Sequence, residues 1–119
     1  MRLKSAIFAA ALVRQAFAQG AMAAIARKGA EEAGAVFVKV ARLDRTADLY
    51  GPAPQSLFDE GGSAAERRFE TRMLGAPEFE VDEAIGREAR FDPDLWVVEI
   101  EDRHGRHFLD PEPSPLEPK

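Results

Sequence analysis

Glu99, Glu101, Asp102, His104, His107 and Asp110 crowd both histidines of the chain into one acidic run. Imidazole beside carboxylate is the pairing that orients a ring for proton transfer or completes a divalent-metal site. If His104 and Gly105 make a two-residue turn, Asp102 lies opposite His107 across a hairpin. Asp102, His104 and His107 are then candidate metal ligands, and His107 a candidate acid or base. His104 would sit at the exposed tip and need not converge with His107, so the plainer reading is a solvated polar hairpin.

The same turn sets Arg103 directly against Arg106. Like charges facing one another across a strand pair cost stability unless an anion lies between them. Glu101, two residues away on the same face, is the ordinary source of that anion. A phosphate or a partner's carboxylate is the sharper one, and makes Arg103 and Arg106 candidate anion- or partner-binding residues. A third group, Lys39, Asp48 and Tyr50, falls on one face of an earlier hairpin, with Arg67 and Arg68 as possible neighbours. Lysine beside tyrosine transfers protons when burial depresses the ammonium, so Lys39 and Tyr50 join the catalytic candidates. On a small sheet such residues more often decorate a solvated or interfacial face. The familiar signatures are missing: there is no phosphate-cradling loop, nucleophile elbow or His-Glu-x-x-His helix. Cysteine is absent, which removes disulfides, thiolate zinc sites and a cysteine nucleophile. No motif calls for a cofactor.

Strands must position these groups. In Gly34–Tyr50, Val36, Val38 and Val40 alternate with Phe37, Lys39 and Ala41, the period of a half-buried strand. With Asp44 and Arg45 as a two-residue loop, Val40 faces Leu49, Arg42 faces Ala47 and Lys39 faces Tyr50. Arg45 fits the positive φ of such a turn poorly, and a longer loop is the alternative. The second strong strand runs from Leu95 to Ile100, with Trp96, Val98 and Ile100 on one face, and returns through Arg106 to Leu109. Trp96 reads as a core anchor.

Around them, Ser5 to Ala18 predicts an alanine-rich helix with Ser5 as a possible N-cap and Gly20 just past its end. Its apolar residues form no clean stripe, so it wants cover on more than one side. Arg2, Lys4 and the apolar run to Val13 imitate a secretory signal, but Arg14 and Gln15 stand where a cleavage region rarely carries charge. The run is too short to span a bilayer. Ala21 to Lys28 suits either helix or strand and is read as a strand, which makes a three-strand meander with the central hairpin. Gln55 to Glu66 reads as a surface loop. Arg67 to Leu74 is an edge strand or a short helix, with the strand preferred. Val81, Ala84, Ile85 and Ala89 space a helix over Val81–Arg90, ended by Asp92-Pro93.

The whole is one α+β domain over residues 1–110, with a mostly antiparallel sheet built from a meander and a C-terminal hairpin. A Pro-rich flexible tail, 111–119, follows it. At 119 residues, 45% hydrophobic and 31% charged, the chain has material for one core. The net charge of −5 conceals an asymmetry: eight Lys/Arg against four Asp/Glu in residues 1–50, and eight against seventeen in 51–119. Opposite halves neutralise one another within the fold or across a dimer interface, and they make nucleic acid an unsuitable partner for the molecule as a whole.

Three segments carry a resemblance: Met1-Arg-Leu-Lys-Ser5; Ala33-Gly-Ala-Val-Phe-Val-Lys-Val40 leading to Leu49-Tyr-Gly-Pro52; and Phe91-Asp-Pro-Asp-Leu-Trp-Val-Val-Glu-Ile-Glu-Asp102. In them the chain resembles the small alphaproteobacterial proteins of domain-of-unknown-function family 1491, up to about Leu109. The resemblance implies that the N-terminal helix belongs to the domain, which argues against secretion. It supplies no activity and no site residue. The expected function is a noncatalytic cytoplasmic binding or assembly domain, a homodimer through the alanine-rich helix or an exposed strand edge, or a binder of another protein, with no membrane contact. The alternative is a metal-dependent or acid–base enzyme using Asp102, His104 and His107.

Overall fold

Val36, Val38 and Val40 lie beside Trp96, Val98 and Ile100 in two adjacent strands, and none of the six is more than 2% exposed. The computed structural model describes residues 3–54 and 67–117, so the surface loop expected over Gln55–Glu66 lies outside the described residues. The described elements, in order, are α1 (Ser5–Ala18), β1 (Met22–Arg27), β2 (Val36–Ala41), β3 (Thr46–Pro52), β4 (Phe69–Pro77), α2 (Glu78–Phe91) and β5 (Trp96–Glu101). The strands make one sheet in the order β1-β5-β2-β3-β4. Every neighbouring pair is antiparallel except β2 with β5. The molecule is therefore α+β, with a largely antiparallel sheet.

Three expectations about topology are corrected. The first meander does not form, because β5 inserts between β1 and β2; the consecutive antiparallel strands are β2, β3 and β4. The reason lies in side-chain character. Leu95 to Val98 is a continuous apolar run that must be covered on both faces, whereas β1, Met-Ala-Ala-Ile-Ala-Arg, has little to bury and takes the edge. The C-terminal hairpin is also absent: β5 is paired on both sides, so no ladder edge remains for a returning strand, and residues 106–109 form none. Instead Leu109 turns into the core on the α1 side. Finally, the β2–β3 loop has three residues, Leu43, Asp44 and Arg45, closed by the Arg42 N–H donating to the Thr46 carbonyl at 3.0 Å. Val38 therefore pairs with Tyr50 and Lys39 with Leu49. That one-residue slip exchanges the faces of every β3 side chain.

The helices cover opposite faces. Ser5, Ala9, Leu12 and Ala16 recur at helical spacing and bury α1 against Val38, Val98, Ile100 and Tyr50. On the other face, Val81 of α2 is fully buried over Phe37, Leu49 and Val97, with Ala84, Ile85 and Ala89 beside it. α2 starts three residues earlier than the spacing of its apolar positions predicts, with Glu78 and Glu80 in the first turn, where the helix dipole favours them. The tail begins by lying along the outer edge of β4. There the Thr71 N–H donates to the Ser114 carbonyl at 2.8 Å and the Ser114 N–H to the Phe69 carbonyl at 3.0 Å.

Ser5 is not the N-cap of α1 but its first residue, fully buried. The N–H groups of Ser5 and Ala6, which have no partner within the helix, donate to the carbonyls of Glu32 and Glu31 at 3.1 and 3.0 Å. The Ser5 hydroxyl donates to the Gly34 carbonyl and accepts from Arg67 Nη2. The β1–β2 connection in turn clasps the turn before β5. Trp96 Nε1 donates to the Ala30 carbonyl at 2.7 Å, and Ala30 N–H to the Asp94 carbonyl at 2.9 Å. Backbone approaches so closely there that a Cβ on Gly34 would lie 2.2 Å from the Asp94 carbonyl oxygen. Gly34→Ala is therefore expected to lower the unfolding free energy by about 2–3 kcal/mol, through a clash with main chain that has no rotamer escape. Urea titration of the variant checks this, and a midpoint matching the parent's would show that the clasp is slack.

Candidate functional site

Lys39 and Tyr50, expected side by side, lie on opposite faces of the sheet because of the register slip. Lys39 points toward α2 with its side chain only 6% exposed, and Nζ sits 2.7 Å from Glu78 Oε2, 2.8 Å from Asp82 Oδ1 and 3.7 Å from Glu99 Oε2. Burial by itself would lower the ammonium pKa. The hydrogen bonds to Asp82 and Glu78 and the nearby charges of Glu99 and Asp82 outweigh it, and the net shift is upward. Proton transfer needs a lysine poised near neutrality. Lys39 is instead a fixed cation that joins the positive first half of the chain to the acidic second half. Asp82 is not legible as a partner in the sequence because it becomes one only when α2 packs on the sheet and brings it to Lys39; the acidic residues after Pro77 are the available signal.

Tyr50 faces α1, where its ring meets His107 edge-on with centroids 5.0 Å apart. Burial, helped by the charge of Asp48, pushes its phenol up to about 12. His107 is held at both ring nitrogens: Nδ1 accepts the Leu109 N–H at 2.9 Å, and Nε2 lies 3.1 Å from Glu112 Oε2. That arrangement selects the tautomer with the proton on Nε2, donating to Glu112. Asp48 is completely buried and accepts from Arg42 Nη2 at 2.8 Å, from Arg42 Nε at 3.0 Å and from the Gly75 N–H at 2.7 Å. It thereby ties β3 to a β4 glycine with φ +61°. Arg67 reaches α1, not Lys39, donating to the Leu3 carbonyl at 3.0 Å and lying over the Phe8 ring.

Asp102 turns to Arg106 and not to His107. Its carboxylate accepts from Arg106 Nη2 and from the Arg106 N–H, each at 2.8 Å, and from Arg106 Nε at 3.1 Å. Arg106 also donates to the Gln19 carbonyl at 3.2 Å and covers Phe108, so it locks the end of β5 onto the turn between α1 and β1. The side-chain bonds from Arg106, then its backbone N–H and charge, hold the Asp102 carboxyl at about 2 against burial. Arg103 and His104 are exposed at the rim of a depression of about 350 Å³ that Gly20, Leu43 and Glu101 also line. The structure thus separates His104 from His107. Among the described residues, no three His, Asp or Glu side chains converge closely enough to hold a metal ion.

A second depression of about 350 Å³ opens on the α2 face of β1 and β5, lined by Met22, Ala23, Ala24, Ala26, Glu99 and Glu101. α2 packs chiefly against β3 and β4, and among the described residues no helix covers this depression. The sequence of residues 21–28 predicts a strand and no groove, because nothing in an alanine-rich run tells which neighbour will lack a helix.

Lys39 binds carboxylates that are themselves partly exposed, so Lys39→Met is expected to cost about 2 kcal/mol at neutral pH, below the range for fully buried pairs. The folded ammonium pKa lies above 10.5, so this contribution is present below that value and fades as pH rises past the folded value. Equilibrium unfolding of parent and variant at pH 7 checks it, and equal stability would remove the ion cluster from the account. For Asp102 the folded pKa lies below the ordinary 3.8, so its stabilisation is complete above about pH 4 and is lost as pH falls through about 2. Asp102→Asn should therefore flatten the stability profile in that window, and an unchanged slope would remove the pair from the account.

The sequence pattern described as "Protein of unknown function (DUF1491)" matches residues 3–110. The solution structure of protein Atu0922 from Agrobacterium tumefaciens is similar at TM-score 0.77 and 50% identity, covering 96% of this chain and 99% of that one. The crystal structure of a DUF1491 family protein from Caulobacter crescentus matches at TM-score 0.76 and 44% identity, covering 99% of this chain and 100% of that one. An NMR structure of a family protein from the same organism gives the same TM-score and identity, with 99% of each chain covered. A search of curated proteins found no match. Identity at this level over nearly the whole length of both chains, with the same fold, means that the chain belongs to the DUF1491 family.

Proposed function

We propose that the protein is a noncatalytic cytoplasmic assembly domain that works as a homodimer through the outer edge of β1. The observation that carries this reading is the difference between the two edges of the sheet. The β4 edge is partly occupied by the chain's own tail at Ser114, whereas among the described residues β1 pairs only with β5 and its other side is left open. The β1 edge also has no charge from Met22 to Ala26, and Met22 and Ile25 are 58% and 41% exposed. Natural edge strands are usually blunted by charge or proline; one left apolar is a template for another strand. A bulge between Ile25 and Arg27 ends the regular edge and leaves Met22–Ile25 as the pairing stretch.

A second copy suits this edge when the two strands run antiparallel about a two-fold axis. Arg27 and Lys28 close one end of β1, and Glu101 stands beside Met22 at the other, so antiparallel pairing brings opposite charges together at both ends. The α1 helix supplies further apolar surface, with Ile7 and Phe17 each 50% exposed. The cytoplasmic setting is supported by the place of that helix: Ala9, Leu12 and Ala16 are core residues, which a segment removed on export could not be. No helix among the described residues is long and apolar enough to cross a membrane.

Sedimentation equilibrium at micromolar concentration is expected to give the mass of two chains. Ala24→Lys, at an exposed edge position, should weaken association by about tenfold or more while leaving the thermal midpoint of the monomer unchanged. A single-chain mass for the parent, or equal association by the variant, would overturn the proposal.

A further inference from the structure

We infer that the depression on the α2 face of β1 and β5 is the docking site for a cationic amphipathic helix from a partner protein. It is complete within one chain, so it does not depend on the dimer proposed above. The two faces of the same strand pair make the case. On one face α1, fourteen residues long, packs against both β1 and β5. On the other face α2 is spent chiefly on β3 and β4 and meets β5 at Val97, so among the described residues no helix fills the groove beside Ala24, Glu99 and Glu101. The floor there is Ala24 and Ala26, short side chains that let a helix backbone come close, with Met22 as a longer apolar side chain at one end. A six-residue strand spans roughly 20 Å, the length of a helix of about fourteen residues, so what is missing has the dimensions of α1.

Charge selects the occupant. Glu99 and Glu101 stand along the floor, and Lys39 holds Asp82 of α2 close to Glu99 at the inner wall. The cation that serves Glu99 is 3.7 Å away and is held more closely by Glu78 and Asp82. Glu101 makes no ion pair among the described residues. An acidic helix would be repelled, and a purely apolar one would bury these carboxylates without partners. A helix with leucine or alanine on one side and lysine or arginine along its margins meets both the floor and the wall.

The probe is a synthetic helix of about fourteen residues, leucine and alanine on one face and lysine on the other, with a glutamate-for-lysine counterpart as control. Titrated into the isotope-labelled full chain, the lysine peptide is expected to shift amides of Met22–Ala26 and Glu99–Glu101, and the glutamate peptide to shift none. The Glu99→Gln/Glu101→Gln double variant should weaken binding by about tenfold or more, whereas Glu31→Gln/Glu32→Gln, in the loop that receives α1, should change it by less than about twofold. Ala24→Trp, which fills the floor without altering a charge, should also abolish the shifts; retained dispersion of the remaining amides shows that each variant is folded. Equal losses in the two glutamine variants, shifts scattered over the acidic surface, or no binding by the parent would each overturn the proposal. So would concentration-dependent shifts at Glu99–Glu101 without peptide, beyond those that edge pairing gives at Met22–Ile25, which would make a second copy the occupant of the groove.

Discussion

The fold depends on one requirement: β2 and β5, lying parallel at the centre of the sheet, must be kept from water on both faces and along both edges. Val36, Val38 and Val40 on one strand and Trp96, Val98 and Ile100 on the other are buried from the α1 side, and Phe37 and Val97 from the α2 side. Each such side chain contributes on the order of 1.5–3 kcal/mol when fully withdrawn from solvent, far more than any surface ion pair in the molecule. Everything else is arranged to meet that demand. One helix packs on each face, β1 and β3 flank the pair on either side, and the loops at Gly29–Gly34 and Asp92–Leu95 clasp one another to close the end where both strands begin.

Two helices are too few to cover five strands twice. α1 lies over the β1–β5 half of one face and α2 over the β3–β4 half of the other, so each face has an uncovered portion. On the α1 side the deficit is partly met by the C-terminal segment, with Leu109 and Phe108 filling in beside Tyr50 and His107 turned onto its ring. On the α2 side at β1 nothing among the described residues meets it. The same edge is the one left apolar, which is why both proposals gather at β1.

The charged groups that invited a chemical reading serve mainly as ties between elements. Lys39 joins β2 to α2 and β5, Asp48 joins β3 to Arg42 and the β4 glycine, and Asp102 with Arg106 pins the end of β5 to the α1–β1 turn. Each is a buried or half-buried charge that costs desolvation and is therefore surrounded by partners. The shifts of Lys39, Tyr50 and Asp102 all run away from neutrality, toward groups that keep one protonation state.

What the sequence determined by itself was local. Alternating valines identified β2, the alanine-rich stretch to Ala18 set the bounds of α1, the spacing of Val81, Ala84, Ile85 and Ala89 marked α2, and Trp96 was legible as a core anchor because each signal is a period or a propensity carried by adjacent residues. The partner of each strand was not legible, since pairing is a competition among all edges and depends on which strand most needs two covered faces; β5 won the place beside β2 that a meander would have given to β1. The β3 face was not legible either, because a single extra loop residue after Arg42 reverses every side chain beyond it. That reversal, and the occupation of both β5 edges, dispersed the side chains that look clustered in the sequence: Tyr50 met His107 in place of Lys39, and Asp102 took Arg106 in place of His107. Such contacts join residues distant in sequence or past a turn, and only the assembled sheet fixes them.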